Sequence, residues 1–110
     1  MRLTGPYYRI TVDHGTMYVP AAYIPSLRTV VGKLCECARV QAQNCIHAID
    51  ATEGNVKGVM FPSSVDGWHV VIRLTMDALT IPYWLTTQEL RELNVALSAQ
   101  PLPGERTWMS

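Results

Sequence analysis

The feature that most constrains this chain is a long amphipathic pattern over residues 26–49. On an α-helix of about 100° per residue, the apolar side chains of this segment fall close to one line: Leu27, Val30, Val31, Leu34, Ala38, Cys45, Ala48 and Ile49. Polar side chains fall on the opposite side. The pattern predicts one long helix with a core-facing stripe, beginning at Pro25 with Ser26 as its cap and ending in the polar residues 50–55.

The same helical phase predicts the role of the three cysteines. Cys45 lies near the centre of the stripe, whereas Cys35 and Cys37 lie on its opposite margins, about 160° apart. Metal ligands must converge on one point, and side chains on a continuous helix diverge, so we expect the thiols to pack and to bind no metal. An odd cysteine count within one helix also argues against an internal disulfide. We expect no cofactor and a reducing, cytoplasmic location.

Alternating apolar and polar residues predict four strands, at 8–12, 17–19, 56–61 and 68–75. Turn-forming residues 13–15 and 62–67 join them into two hairpins. Thr86 followed by Glu89 three residues later forms a capping box, which predicts a second helix ending near Ala99.

These elements predict an α+β fold of order ββαββα. We expect a two-layer domain in which a four-stranded, mainly antiparallel sheet carries both helices on one face. A chain of 110 residues is long enough for one domain with a core and too short for two. We assign residues 1–100 to this domain, and residues 101–110, with Pro101 and Pro103, to a C-terminal tail.

The charge composition separates classes of function. Only 16% of the residues are charged, against about 25% in ordinary soluble proteins, and nine basic and nine acidic residues give zero formal net charge. Zero net charge removes the long-range attraction to phosphate that most nucleic-acid binders use. Few charges also leave apolar surface to be exposed or buried against a partner. Because no apolar run reaches about 18 residues, we expect no membrane association.

Six residues are the candidates for a partner-binding surface: Arg9, His69, Arg73, Tyr83, Trp84 and Trp108. Alternation places the two arginines and the histidine opposite the apolar faces of their strands. If those strands were neighbours, the arginines would bind an acidic loop or a phosphate. The three aromatic residues lie before the second helix or on the tail, and their types are enriched at the centres of protein interfaces. Tyr83 and Trp84 before the second helix would also serve as hydrophobic staples, as would Tyr23 before the first helix.

No Gly-rich phosphate loop, nucleophile elbow or metalloprotease helix appears in the sequence. We therefore predict that the protein is not an enzyme but a small intracellular protein-binding module. We expect it to form a homodimer or a complex with another protein. Its size suits an accessory or inhibitor protein of a phage or another mobile element.

Two alternatives stay open. A nucleic-acid-associated regulatory subunit would use arginines locally, with strongly salt-dependent binding; its candidates are Arg9, Arg28, Arg39 and Arg73. A small enzyme would build its site at an oligomer interface and show a deep polar cleft; its acid–base candidates are Asp13, His14 and His69.

Overall fold

A computed structural model describes residues 5–12, 15–41, 48–63, 67–98 and 105–109, with side chains at all of these except 5, 6, 38–41, 62, 63, 67 and 105–109. A short 3₁₀ helix, Ala21–Tyr23, precedes the first α-helix. The elements follow in the order β1 (Gly5–Val12), β2 (Gly15–Pro20), α1 (Ile24–Gln41), β3 (Ile49–Glu53), β4 (Val56–Ser63), β5 (Gly67–Met76), β6 (Leu79–Thr86), α2 (Thr87–Ser98) and β7 (Glu105–Met109).

The strands form two antiparallel sheets. One has the order β2-β1-β7, and the other has the order β3-β4-β5-β6. The predicted α+β class, with an antiparallel four-stranded sheet and two helices, is confirmed. The membership of that sheet differs from the prediction, because β1 and β2 pair with β7 and not with β4 and β5. Strand β7 lies within the segment expected as a tail.

Both helices lie on one face of the four-stranded sheet and pack against each other. Helix α1 contacts β3 and β4, and α2 contacts β5 and β6. The predicted stripe on α1 is confirmed over its first half, where Leu27, Val30, Val31 and Leu34 are fully buried. Inward residues of β1 and β2 join the same core cluster. One hydrophobic core therefore connects the two helices with both sheets.

Gly58 on β4 sets how closely α1 approaches the sheet. A Cβ atom built on Gly58 would lie 2.6 Å from Leu34 Cδ1, 2.7 Å from Val30 Cγ1 and 3.1 Å from Ile72 Cδ1. Carbon atoms in good contact lie about 3.5–4.0 Å apart. The helix therefore packs into space that any side chain at position 58 would occupy.

The predicted extent of the first helix is wrong at both ends. Helix α1 begins at Ile24, so Ser26 lies in its first turn and is not its cap. At the other end, Ile49 belongs to strand β3 and not to the predicted helix. In this strand half-buried Ile49 and Ala51 alternate with exposed neighbours. The turn after β3 contains Gly54 at φ 56°, a backbone conformation that glycine adopts without steric cost. Residues 42–47, including Cys45, lie outside the described residues.

The predicted capping box at the start of α2 is confirmed. The Glu89 backbone N–H donates to Thr86 Oγ1 at 3.1 Å, and the Thr86 N–H donates to Glu89 Oε1 at 3.0 Å. Glu89 is only 2% exposed whereas Thr86 is exposed, so these bonds are partly buried. At the other end, Arg28 Nε donates to the Leu97 carbonyl at 2.6 Å, which satisfies a C-terminal carbonyl of α2 and complements its dipole.

Two tyrosines connect separate elements through their hydroxyl groups. The Tyr23 hydroxyl donates to the Thr75 carbonyl at 2.8 Å, which fixes the start of α1 to β5. The Tyr83 hydroxyl accepts from the Tyr18 N–H at 3.2 Å and lies 3.4 Å from the Tyr18 carbonyl, to which it donates. The second contact ties β6 of one sheet to β2 of the other.

Candidate functional site

The four-stranded sheet has a second face, directed away from the helices, which we call the outer face. Alternation along β4, β5 and β6 places the following residues on it: Lys57, Val59, Phe61, His69, Val71, Arg73 and Trp84. The strand register arranges them in rows across the sheet. A cationic row, Lys57 and Arg73, and an aromatic row, Phe61 and His69, border a central apolar row of Val59, Val71 and Trp84.

Packed side chains form the centre of the outer face although neither α1 nor α2 covers it. The Phe61 and Trp84 rings lie 6.2 Å apart at 89°, an edge-to-face arrangement. Their strands are separated by β5, hence by about 9.6 Å at ordinary strand spacing, so the rings lean toward each other above β5. This position explains why Val71 is only 1% exposed. Trp84 itself is 60% exposed.

The outer face brings together three of the six residues predicted from the sequence: His69, Arg73 and Trp84. The His69 ring lies 5.6 Å from the Phe61 ring at 37°, which makes the histidine part of the aromatic cluster. Exposed aromatic rings beside an arginine form the kind of surface that supplies hot spots in protein interfaces.

The other three predicted residues lie elsewhere. Arg9 is on β1, opposite Tyr18, so the patch expected to join Arg9 with Arg73 does not form, because the two strands belong to different sheets. Tyr83 packs against the core from the helix side of β6. Trp108 lies in β7, where its backbone pairs with Pro6, and its side chain lies outside the described residues.

Four residues of the outer face were not among the sequence candidates: Lys57, Val59, Phe61 and Val71. The sequence does carry a signal for three of them, since Lys57, Val59 and Phe61 share one parity on a predicted strand. Val71 shares the parity of His69 and Arg73 on β5. The predicted hairpin already places β4 beside β5. What the sequence analysis does not contain is strand β6, whose pairing with β5 places Trp84 two strands away from Phe61.

Of the two described cysteines, Cys35 packs against the hydrophobic core and Cys37 lines a groove between α1 and β3. Cys35 Sγ lies 3.9 Å from the Leu90 carbonyl of α2, and burial raises the pKa of this thiol, with the nearby Arg91 acting in the opposite direction. Cys37 is half-buried, and neither thiol forms a disulfide. Among the described side chains, no group of three or more histidine, cysteine, aspartate or glutamate residues is arranged to hold a metal ion.

A groove of about 380 Å³ lies between α1 and β3, lined by Lys33, Leu34, Glu36, Cys37, Ile49, Asp50, Ala51 and Thr52. The enzyme hypothesis required an acid–base residue in a cleft. His69 lies on the outer face and not in this groove, and Asp13 and His14 lie outside the described residues. The groove and the proposed acid–base groups are therefore not brought together in the described part of the chain.

Comparison with protein-family models, curated protein sequences and solved structures finds no match for this chain. In the ranges that the structure describes, neither helix has the length and apolar character needed to cross a membrane. The outer face itself is therefore the basis for inferring a function.

Proposed function

We propose that this protein is a protein-binding module and that the outer face is its contact surface. The observation that carries the proposal is the exposed Trp84 ring, which together with Phe61 packs over a buried Val71 on the sheet face opposite α1 and α2. A tryptophan held in place by its neighbours loses little conformational freedom when it is buried on binding. Such anchors contribute a large share of binding free energy.

The distribution of arginines favours a protein partner over nucleic acid. Arg28 is engaged with the C-terminus of α2, and Arg9 lies on the other sheet. The outer face therefore carries two permanently charged basic residues, Lys57 and Arg73. The chain as a whole has zero formal net charge. Proteins that coat a nucleic-acid backbone neutralise many phosphates.

The alternative with a specific observation behind it is single-stranded nucleic acid, because bases stack on aromatic side chains exposed on a sheet. Strong weakening of binding by salt, with recovery of an oligonucleotide and no protein, would favour it. An accessory or inhibitor protein that forms a homodimer or a complex remains our proposal, since this role needs a contact surface and no catalytic groups.

The test compares Trp84→Ala with Val95→Ala. Both positions are exposed, Trp84 on the outer face and Val95 on α2, so each substitution removes an apolar side chain from the surface. We expect Trp84→Ala to abolish self-association in sedimentation velocity, or capture of a partner from host lysate, while Val95→Ala behaves as the wild type. A monomer at high micromolar concentration that captures no partner would contradict the proposal, as would equal behaviour of both variants.

A further inference from the structure

The cationic row of the outer face contains a pair of like charges placed directly opposite each other. Lys57 on β4 is the register partner of Arg73 on β5, and directly opposed side chains on one face have Cβ atoms about 4.5–5.5 Å apart. Like charges in this position destabilise a sheet. The native fold therefore keeps an unfavourable arrangement at this place.

Nothing in the described part of the chain neutralises the pair. Neither cationic side chain makes an ion pair with a described residue. The nearest acidic residue by register with the parity of the outer face is Asp50, which is opposite Val59 and so belongs to the neighbouring row. Thr52 and Pro82, the register partners on either side, carry no charge.

We infer that the Lys57–Arg73 pair is the anion-recognising part of the contact surface and that the partner is a protein segment with a carboxylate beside an apolar side chain. This inference rests on the proposed function. A carboxylate placed between the two cations relieves their repulsion and accepts charge-assisted hydrogen bonds from both, in a bidentate manner from the guanidinium.

The spacing of the rows gives the recognition pattern. Arg73 and Val71 are two positions apart on β5, about 7 Å along the strand, and Val71 lies in the row that ends in Trp84. A partner must therefore present its carboxylate about 7 Å from the apolar side chain that packs against Trp84. In an extended segment this corresponds to an Asp or Glu two positions away from an aromatic or aliphatic residue.

The first experiment measures the stability of Lys57→Glu. This substitution turns a repulsive cross-strand pair into an attractive one, so we expect Tm to rise by roughly 2–4 °C. Lys33→Glu, the same charge change at an exposed position on α1, is the matched control and should not produce this rise. A Tm for Lys57→Glu that is unchanged or lower would overturn the inference, because the pair would then impose no cost on the fold.

The second experiment selects binders from a phage-displayed library of random 12-residue peptides on the wild-type protein. We expect peptides enriched in Asp or Glu two positions from an aromatic or aliphatic residue, with affinity reduced at least tenfold by Lys57→Glu or Arg73→Glu and unchanged by Lys33→Glu. Peptides that depend on Trp84 but show no acidic enrichment would overturn this inference and leave the proposed function standing. Recovery of no peptide that depends on Trp84, from a protein that also stays monomeric at high micromolar concentration and captures no partner, would overturn both.

Two parallel measurements identify other occupants of the face. Self-association of the protein alone that is lost on Trp84→Ala would assign the face to a second copy and overturn the inference of an acidic partner. Binding of a fluorescent 12-nucleotide deoxythymidine strand that is lost on Arg73→Glu, with no peptide selected, would assign it to nucleic acid and overturn the inference as well.

Discussion

Replacing Gly58 with alanine tests the packing that positions the four-stranded sheet. The added Cβ would lie 2.6 Å from Leu34 Cδ1 and 2.7 Å from Val30 Cγ1, so α1 or these side chains must shift by about 1 Å to reach an ordinary contact distance. Val30 and Leu34 are fully buried, and a valine has few alternative rotamers. The shift is therefore transmitted into the core.

The expected magnitude combines two opposing effects. Overpacking a core costs roughly 1–3 kcal/mol, and the close contacts place this site in the upper half of that range. Removing a strand glycine stabilises the fold by roughly 0.5–1 kcal/mol. We expect a net loss of about 1–2 kcal/mol in the free energy of unfolding.

Gly32→Ala is the matched control for this prediction. Gly32 lies in α1, and a Cβ there meets nothing within 4 Å, so alanine should stabilise the fold by roughly 0.5–1 kcal/mol. Urea unfolding followed by circular dichroism measures both variants. Val30→Ala should cost about 1 kcal/mol less in the Gly58→Ala background than in the wild type, because the smaller side chain makes room for the added Cβ. A Gly58→Ala protein as stable as the wild type would refute the close approach of α1 to β4.

Two further predictions concern α2 and its contact with α1. Thr86→Ala removes the acceptor for the Glu89 N–H and should lower the free energy of unfolding by about 1 kcal/mol. Thr86→Ser keeps a hydroxyl acceptor and should retain most of that stabilisation. Equal urea midpoints for the two variants would count against the capping box. Because burial raises the pKa of Cys35 above its ordinary 9.0, the folded state holds this proton more tightly than the unfolded chain, so stability should fall as pH rises above about 9. Cys35→Ala should lose less stability than the wild type between about pH 7.5 and about pH 10, and identical losses would show that the thiol contributes nothing to the pH dependence.

The parts of the fold that the sequence predicts correctly depend on neighbouring residues. The capping box needs Thr86 and Glu89 three positions apart, and the structure confirms both of its bonds. The alternation of β5 likewise predicts which side of the strand faces the core, since Val70, Ile72 and Leu74 are all buried. These signals depend on the local geometry of one element.

The errors arise where a local pattern fits two structures or where distant strands must choose partners. Ile49 matched the phase of the helical stripe, but it also begins a strand whose turn contains Gly54. Strand β6 is absent from the prediction. It contains Pro82, which has no N–H to donate, and a proline is tolerated there because β6 is an edge strand. The division into two sheets depends on the pairing of β1 with β7, which are far apart in the sequence. The proximity of Phe61 to Trp84 depends on the register of β4 and β6 on either side of β5.

The contact between Tyr83 and Tyr18 has a consequence for aggregation. Strands β2 and β6 are edges of their sheets, and an unprotected edge offers N–H and C=O groups on which strands of other molecules can add. One phenolic hydroxyl occupies both backbone groups of Tyr18, and the neighbouring Pro82 withdraws a donor from β6. Each edge is thus interrupted at one position, β2 at Tyr18 and β6 at Pro82, where a strand of another molecule that adds there cannot form its full set of backbone hydrogen bonds.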